Sequence, residues 1–248
     1  MSDESTGAPG IADPTIEQVF EAFLAEQEQR LKPATFSRYR STIQLLTICL
    51  DRYGYEDLTD AESELFDKLY NAEGDEHREF CQMFGPERIV AKLGSFLNYF
   101  MVSKVMAGPG LMKAAGTVTK KLSKWLAQKG YIGERSAAMG AEVGAEAARS
   151  LPAAERAARI LVDAGDMFFD ANDLADEDYM EFDHYTVTKI EPGRIWLEGL
   201  LVEGGEVGPI SVPRKATELL QEDWEISCAL ARVRGKWRLV EVANVYPH

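Results

Sequence analysis

The period of the apolar residues changes once along the chain, and that change sets the broad class of fold. Over the first half, apolar side chains recur at the three-and-four spacing of an α-helix: Ile16, Val19, Phe20, Phe23 and Leu24, then Phe36, Tyr39, Ile43, Leu46, Leu50 and Tyr53. From His184 onward they alternate, in HYTVTKI, RIWLEGLL, GPISVP, WEISCALARV and KWRLVEVANVYP, with breaks at Pro192 and Gly193, Gly204 and Gly205, and Gly235. The two periods occupy separate blocks, which predicts an α+β protein of two domains. At 248 residues the chain is long enough to bury a core in each.

The helical block has readable ends. Thr15 followed by Gln18 forms a capping box ahead of the first helix, and Pro33 opens a second that Gly54 stops. One or two shorter helices are expected up to Gly85 and Pro86. ERIVAKLGSFLNYFMVSKVM then reads as the most buried helix of a bundle, since it is apolar nearly all round. Beyond the breaker AGPG, AAGTVTKKLSKWLAQKGYI reads as a helix started by Thr117. From Gly133 to Pro152 the chain is rich in Ala, Gly and Ser, which predicts a flexible linker. A short helix and an acidic hinge follow. The predicted layout is thus an acidic disordered tail over 1–13, a helical domain over 14–133, a linker, short helix and hinge over 134–183, and a small β domain over 184–248. Five strands with a helical piece, RKATELLQE, after the third predict an oligonucleotide-binding (OB-like) barrel, with an SH3-like barrel as the close alternative.

Charge narrows the function. The formal net charge is -14, yet it is unevenly spread. Residues 1–28 carry seven acids and no base, 56–79 ten acids and two bases, and 163–183 nine acids and no base. Between them, residues 30–52 hold Arg30, Lys32, Arg38, Arg40 and Arg52 against Asp51. Residues 87–132 hold Arg88, Lys92, Lys104, Lys113, Lys120, Lys121, Lys124 and Lys129 against Glu87 alone. Local field, more than net charge, steers a charged partner. With Val118, Leu122, Trp125 and Leu126 turned to a core, the 100° helical step gathers Lys120, Lys121 and Lys124 on the flank away from it. If Thr117 caps that helix, two of these lysines fall in its first turn, where like charge is unfavourable and a phosphate would be favourable.

TIEQVFEAFLAEQEQRLKPATFSRYRSTIQLL followed by GTVTKKLSKWLAQKGYI resembles the core-binding domain of tyrosine recombinases and phage integrases, a helical SAM-like domain that grips duplex DNA. The resemblance covers residues 15–133. It rests on the Thr-x-x-x-Tyr helix, here Thr35 and Tyr39, and on the closing helix of Thr117, Leu122, Trp125, Leu126, Gly130 and Ile132. It implies a DNA-gripping surface matched to Thr35, Arg38, Thr117, Lys120, Lys121 and Lys124. The catalytic domain of that family needs a His-x-x-Arg and a Tyr nucleophile, and none of His77, His184 and His248 has Arg three residues on. Recombinase chemistry is therefore not expected. The segment DLTDAESELFDKLYNAEGDEHRE also inserts acid into the middle of the family pattern.

Other motifs are weaker. Arg232, Arg234, Lys236 and Arg238 surround a predicted hairpin, with Trp196, Trp224 and Trp237 within predicted strands. A face of this kind suits stacking and phosphate contact, although strand tryptophans more often belong to a core. A calcium loop from Asp170, using Asn172, Asp176, Asp178 and Glu181, is broken by Leu174 and by Ala175 where the turn needs Gly. A solvated acidic hinge, able to imitate a phosphate backbone over a basic face, is the expectation, and no metal or cofactor is expected. P-loop, G-x-S-x-G, H-E-x-x-H and dinucleotide-binding patterns are missing from the sequence, so a noncatalytic protein is expected. The start is polar and acidic without the regions of a secretory signal, and no run reaches membrane-span length. Cys49, Cys81 and Cys228 are odd in number and far apart, which suits neither disulfides nor a zinc knuckle. A cytoplasmic, DNA-binding protein is the leading expectation, the β domain being free to bind nucleic acid or a protein partner. An interaction adaptor that keeps the helical fold without DNA affinity is the alternative.

Overall fold

A computed structural model describes residues 10–165, 178–200 and 205–247. The protein is α+β, with helices followed by a five-stranded antiparallel sheet. It divides into two compact units, Met1–Phe96 with Ala114–Ala145, and Leu97–Lys113 with Glu146–His248. This division falls elsewhere than the change of period, because two helices each contribute to both units.

In the first unit, α1 (Ile16–Glu28) begins at the expected capping box: the Gln18 amide donates to Thr15 Oγ1 at 3.3 Å and the Thr15 amide to Gln18 Oε1 at 2.8 Å. Upstream of it, the Ala12 amide donates to the Met83 carbonyl at 2.8 Å, so the end of the expected 1–13 tail is bonded to the fold. α2 (Pro33–Tyr53) has Pro33 in its first turn and Gly54 as its C-cap. A Cβ on Gly54 would come within 2.6 Å of the Phe80 ring, so close packing, and not its right-handed backbone at φ -64°, favours the glycine. α3 (Asp60–Tyr70) carries a second capping box, Thr59 with Glu62. The apolar run beyond Pro86, which passes into the second unit at Leu97, is divided into α4 (Glu87–Ala91), a π-helical turn over Ser95–Phe100 and α5 (Met101–Ser103), although Ile89, Leu93, Phe96, Leu97, Phe100 and Met101 are buried as expected.

α6 (Pro109–Gln128) buries Val118, Leu122, Trp125 and Leu126, the stripe read from the sequence. Phe23 of α1 lies between Tyr39 of α2, stacked at 6.1 Å, and Trp125 of α6, edge-on at 5.4 Å. Burying a ring such as Phe23 contributes about 2 to 3 kcal/mol, and here one ring joins three helices. Gly130, at φ +79°, ends α6: the Tyr131 amide reaches the Leu126 carbonyl at 2.9 Å, closing a left-handed helix cap.

The expected linker is helix. Residues 134–152 form the first part of α7 (Glu134–Gly165), and the Ala and Gly content has the opposite meaning from the one read in the sequence. Small residues recur at helical spacing on one face, Ala137, Gly140, Ala141, Gly144 and Ala147, all buried. A Cβ on Gly144 would sit 2.5 Å from the Lys120 backbone nitrogen and 2.8 Å from the Gly116 carbonyl oxygen; one on Gly140 would sit 2.5 Å from Ser123 Oγ. The two backbones approach as closely as glycine permits. Thr119 and Ser123, buried on the facing side of α6, satisfy their hydroxyls by donating to the Ala115 and Thr119 carbonyls, both at 2.9 Å.

In the second unit the sheet order is β3-β2-β1-β4-β5, from β1 (Tyr179–Glu191), β2 (Arg194–Glu198), β3 (Glu206–Ser211), β4 (Glu225–Val233) and β5 (Lys236–Tyr246). α8 (Arg214–Thr217) falls after the third strand, where a helical piece was expected. The sheet is open, not the closed barrel expected. β3 and β5, its edges, come within 8 Å without a ladder between them. β3 is short and carries Pro209, which has no N–H to offer a further strand. A helix covers the apolar face: Ala154, Ala157 and Leu161 of α7 pack with Tyr185, Val187, Ile195, Leu197, Ile226 and Leu230. No helix among the described residues is long and apolar enough to cross a membrane.

Candidate nucleic-acid interface

α6 begins at Pro109, so Thr117 lies inside the helix and not at its start. The Gly108 carbonyl accepts the Leu111 and Met112 amides at 3.0 and 3.2 Å, placing the positive end of the helix about three turns before Lys120. The expected phosphate site at a helix start is therefore absent from Lys120 and Lys121. What remains is a flank: Lys120 and Lys124 are exposed, Lys121 is half-buried, and Thr117 is exposed on the same helix.

The basic residues of 87–132 differ sharply in their partners. Lys92 is 8% exposed in its side chain, and its Nζ lies 3.0 Å from Glu56 and 2.9 Å from Asp57. Burial works against its charge, but the hydrogen bonds it donates to Asp57 and Glu56 outweigh it and hold the ammonium above the usual lysine range. Arg88 pairs with Glu62 and also donates to the Asp57 carbonyl at 3.2 Å. Lys129 pairs with Glu26 and sits 5.5 Å over the Trp125 ring, while the Trp125 indole N–H donates to Glu26 at 2.8 Å. The Lys129 and Trp125 hydrogen bonds hold the Glu26 carboxyl below the usual range. Among the described residues no carboxylate forms an ion pair with Lys120, Lys121 or Lys124.

The acidic insertion thus has a structural role that the sequence reading missed. Glu56, Asp57 and Glu62 hold Arg88 and Lys92. The available signal was Lys92 itself, a charge within a run apolar on every side, which demands a buried partner. On α2, Thr35 and Arg38 are exposed, and Tyr39 beside Arg38 shares the Phe23 ring with Trp125 beside Lys124. The structure so places both candidate helices on one internal ring within the first unit.

In the second unit the β4–β5 turn is Arg234 and Gly235, at φ 51° and 75°, between the paired residues Val233 and Lys236. Both central residues are left-handed, as a two-residue hairpin of matching twist requires. Pairing divides the four expected basic residues. Arg238 lies opposite Ala231, and Lys236 opposite Val233, on one face; Arg232 lies opposite Trp237 on the other; Arg234 is at the tip. They do not form one surface. Trp224 is buried and Trp237 packs against the main core. Trp196 lies over Gly208, with Lys189 Nζ 4.3 Å from its ring centre.

A Ser-His-Glu arrangement also occurs in the sheet. His184 Nε2 is 3.5 Å from Ser227 Oγ and its Nδ1 is 3.5 Å from Glu225. Ser227 is 2% exposed on a central strand, paired directly with His184, so no substrate carbonyl has a path to its hydroxyl. The contacts tie β1 to β4.

The calcium reading at Asp170, Asn172 and Asp176, and most of the acidic hinge, lie outside the described residues. Comparison with family models, curated proteins and solved structures finds no match to this chain.

Proposed function

We propose that the protein binds duplex DNA without catalysis, through the α6 flank of Lys120, Lys121 and Lys124 together with Thr35 and Arg38 of α2. The observation that carries this reading is the contrast in pairing: Arg88, Lys92 and Lys129 are held by carboxylates, whereas the three flank lysines have none among the described residues. Three cations gathered within little more than one turn of a helix suit contact with the phosphates of a duplex backbone and carry no base readout. The resemblance of residues 15–133 to a recombinase core-binding domain supports the same surface. In that reading the sheet, with five strands, a helix after the third and two edges drawn close, is an OB-like fold left open, available to nucleic acid or a protein.

An adaptor that retains the fold without DNA affinity is the second reading. It is favoured by the net charge of -14 and by the use of acidic groups to neutralise Arg88 and Lys92. Titration of duplex DNA across salt concentrations separates the two. A phosphate binder loses affinity linearly in log salt, with a slope of about 0.9 per neutralised phosphate. Replacing Lys120, Lys121 and Lys124 by Gln is expected to flatten that slope by up to about three units. Wild-type protein that binds no duplex near physiological salt would establish the adaptor reading instead.

A further inference from the structure

A cavity of about 420 Å³ lies within the second unit, between the α5–α6 connection, the second half of α7 and the end of β5. Its volume falls in the range of small-molecule sites, roughly 300 to 1,000 Å³. Val102, Val105, Met112, Leu151, Ala158 and Val245 make its walls apolar. Met106, fully exposed on the connection, adds an apolar lip.

The polar groups at the cavity define what would fit. Glu155 is 17% exposed in its side chain; Oε1 is held by Arg159, and Oε2 is buried with no hydrogen-bond partner among the described residues. An unpaired buried acceptor is costly, the more so on a charged group. The terminal torsion of a glutamate is soft, so a small turn of the carboxylate presents that oxygen to the cavity it lines. Other polar groups of the wall are engaged: Tyr246 Oη accepts from Ser103 Oγ at 3.0 Å and from Asn244 Nδ2 at 3.3 Å. Both signs of charge are present at the wall: Arg159 pairs with Glu155, and Lys104 lies over the Tyr99 ring at 5.3 Å. A cationic ligand head would face Lys104 and Arg159 and an anionic one the Glu155 carboxylate, while a neutral donor meets a waiting acceptor.

We propose that this cavity binds a small uncharged apolar molecule carrying one hydroxyl or N–H donor, which donates to Glu155. This site is independent of the DNA reading. The test is calorimetric titration of the full-length protein with 1-naphthol, 1-methoxynaphthalene and 1-naphthylmethylamine. Saturable one-to-one binding of 1-naphthol is expected, about tenfold or more tighter than its methyl ether, because only the naphthol has a proton to donate to a charged acceptor. Glu155→Met should bring the two affinities together, and Ala158→Phe, which fills the space, should abolish both. Equal binding of naphthol and ether by wild type, tighter binding of the amine, or no saturable naphthol binding would each overturn the proposal without recourse to the variants.

Discussion

Lys92 and Lys124 sit in one basic stretch of sequence and have opposite fates. Lys92 is nearly enclosed and held by two carboxylates at the start of the acidic stretch 56–79, whereas Lys124 projects from α6 with no ion pair among the described residues. A charge count over residues 87–132 treats them alike. Partners distinguish them: a lysine whose ammonium is held by its own fold is part of the architecture, and one left to solvent is available to something else. Structure is therefore expected to fail when the first kind is removed and to improve slightly when the second kind is.

The largest effect should come from beneath the flank. Gly144→Val places a branched side chain where even a Cβ would lie 2.5 Å from the Lys120 amide nitrogen, so α6 and α7 must separate. Overpacking against backbone, with no flexible side chain to yield, is expected to cost about 3 kcal/mol or more. Denaturant unfolding measures this. A loss below about 1 kcal/mol would mean that the close approach of the two helices is not what positions the lysines.

Next comes the held lysine. Lys92→Met keeps the stem and removes the ammonium from between Glu56 and Asp57, whose carboxylates are 52% and 62% exposed and can rehydrate. That exposure discounts the loss to about 1 to 2 kcal/mol. Since its ammonium is held above the usual lysine range, the contribution is complete below that range and is lost only as pH rises through the raised value. Wild type and Lys92→Met should thus converge in stability at strongly alkaline pH. A stability gap that is unchanged there would assign the effect to packing of the stem.

How much of this was legible depended on whether the signal was local. The Thr15 capping box, Pro33, the stripe of α6 and all five strands follow from neighbours in sequence, and the structure has them. The helix at 134–152 was not legible as such, because the sequence shows that Gly140 and Gly144 have no side chain but not that another backbone lies against them. The same applies to Lys120 and Lys121. Their grouping followed from the helical step, whereas their place within α6 depended on where the helix starts, and Pro109 in an apparent breaker is a start signal as readily as a stop. Closure of the sheet, a long-range property of its two edges, left even less trace.

A smaller effect is expected at Glu26, where Lys129 and Trp125 meet. Their hydrogen bonds hold its carboxyl below the usual range, so its contribution is present above the ordinary glutamate titration and is lost as pH falls through the lowered value. Glu26→Gln should be less stable than wild type at neutral pH, with the difference shrinking as the pH falls well into the acid range. Equal stability at neutral pH would show that Lys129 is effectively another solvated lysine, and the division drawn between held and free cations would have to begin at Lys92.

The smallest effect has the opposite sign and is the sharpest test of the comparison. Lys120 and Lys124 stand four residues apart, and Lys121 and Lys124 three apart, so two like-charge pairs face each other along the flank. Both lie well inside α6, away from its positive end, so only their mutual repulsion remains. Lys124→Gln removes both pairs at once and should raise stability by about 0.2 to 0.5 kcal/mol per pair at low salt, a gain that added salt should erase. A double-mutant cycle with Lys120→Gln isolates the 120/124 repulsion, since Lys120 should be worth removing only while Lys124 is present. Loss of stability in Lys124→Gln would mean that this lysine too has a partner in the fold, and a surface proposed to be open to phosphate would instead be already in use.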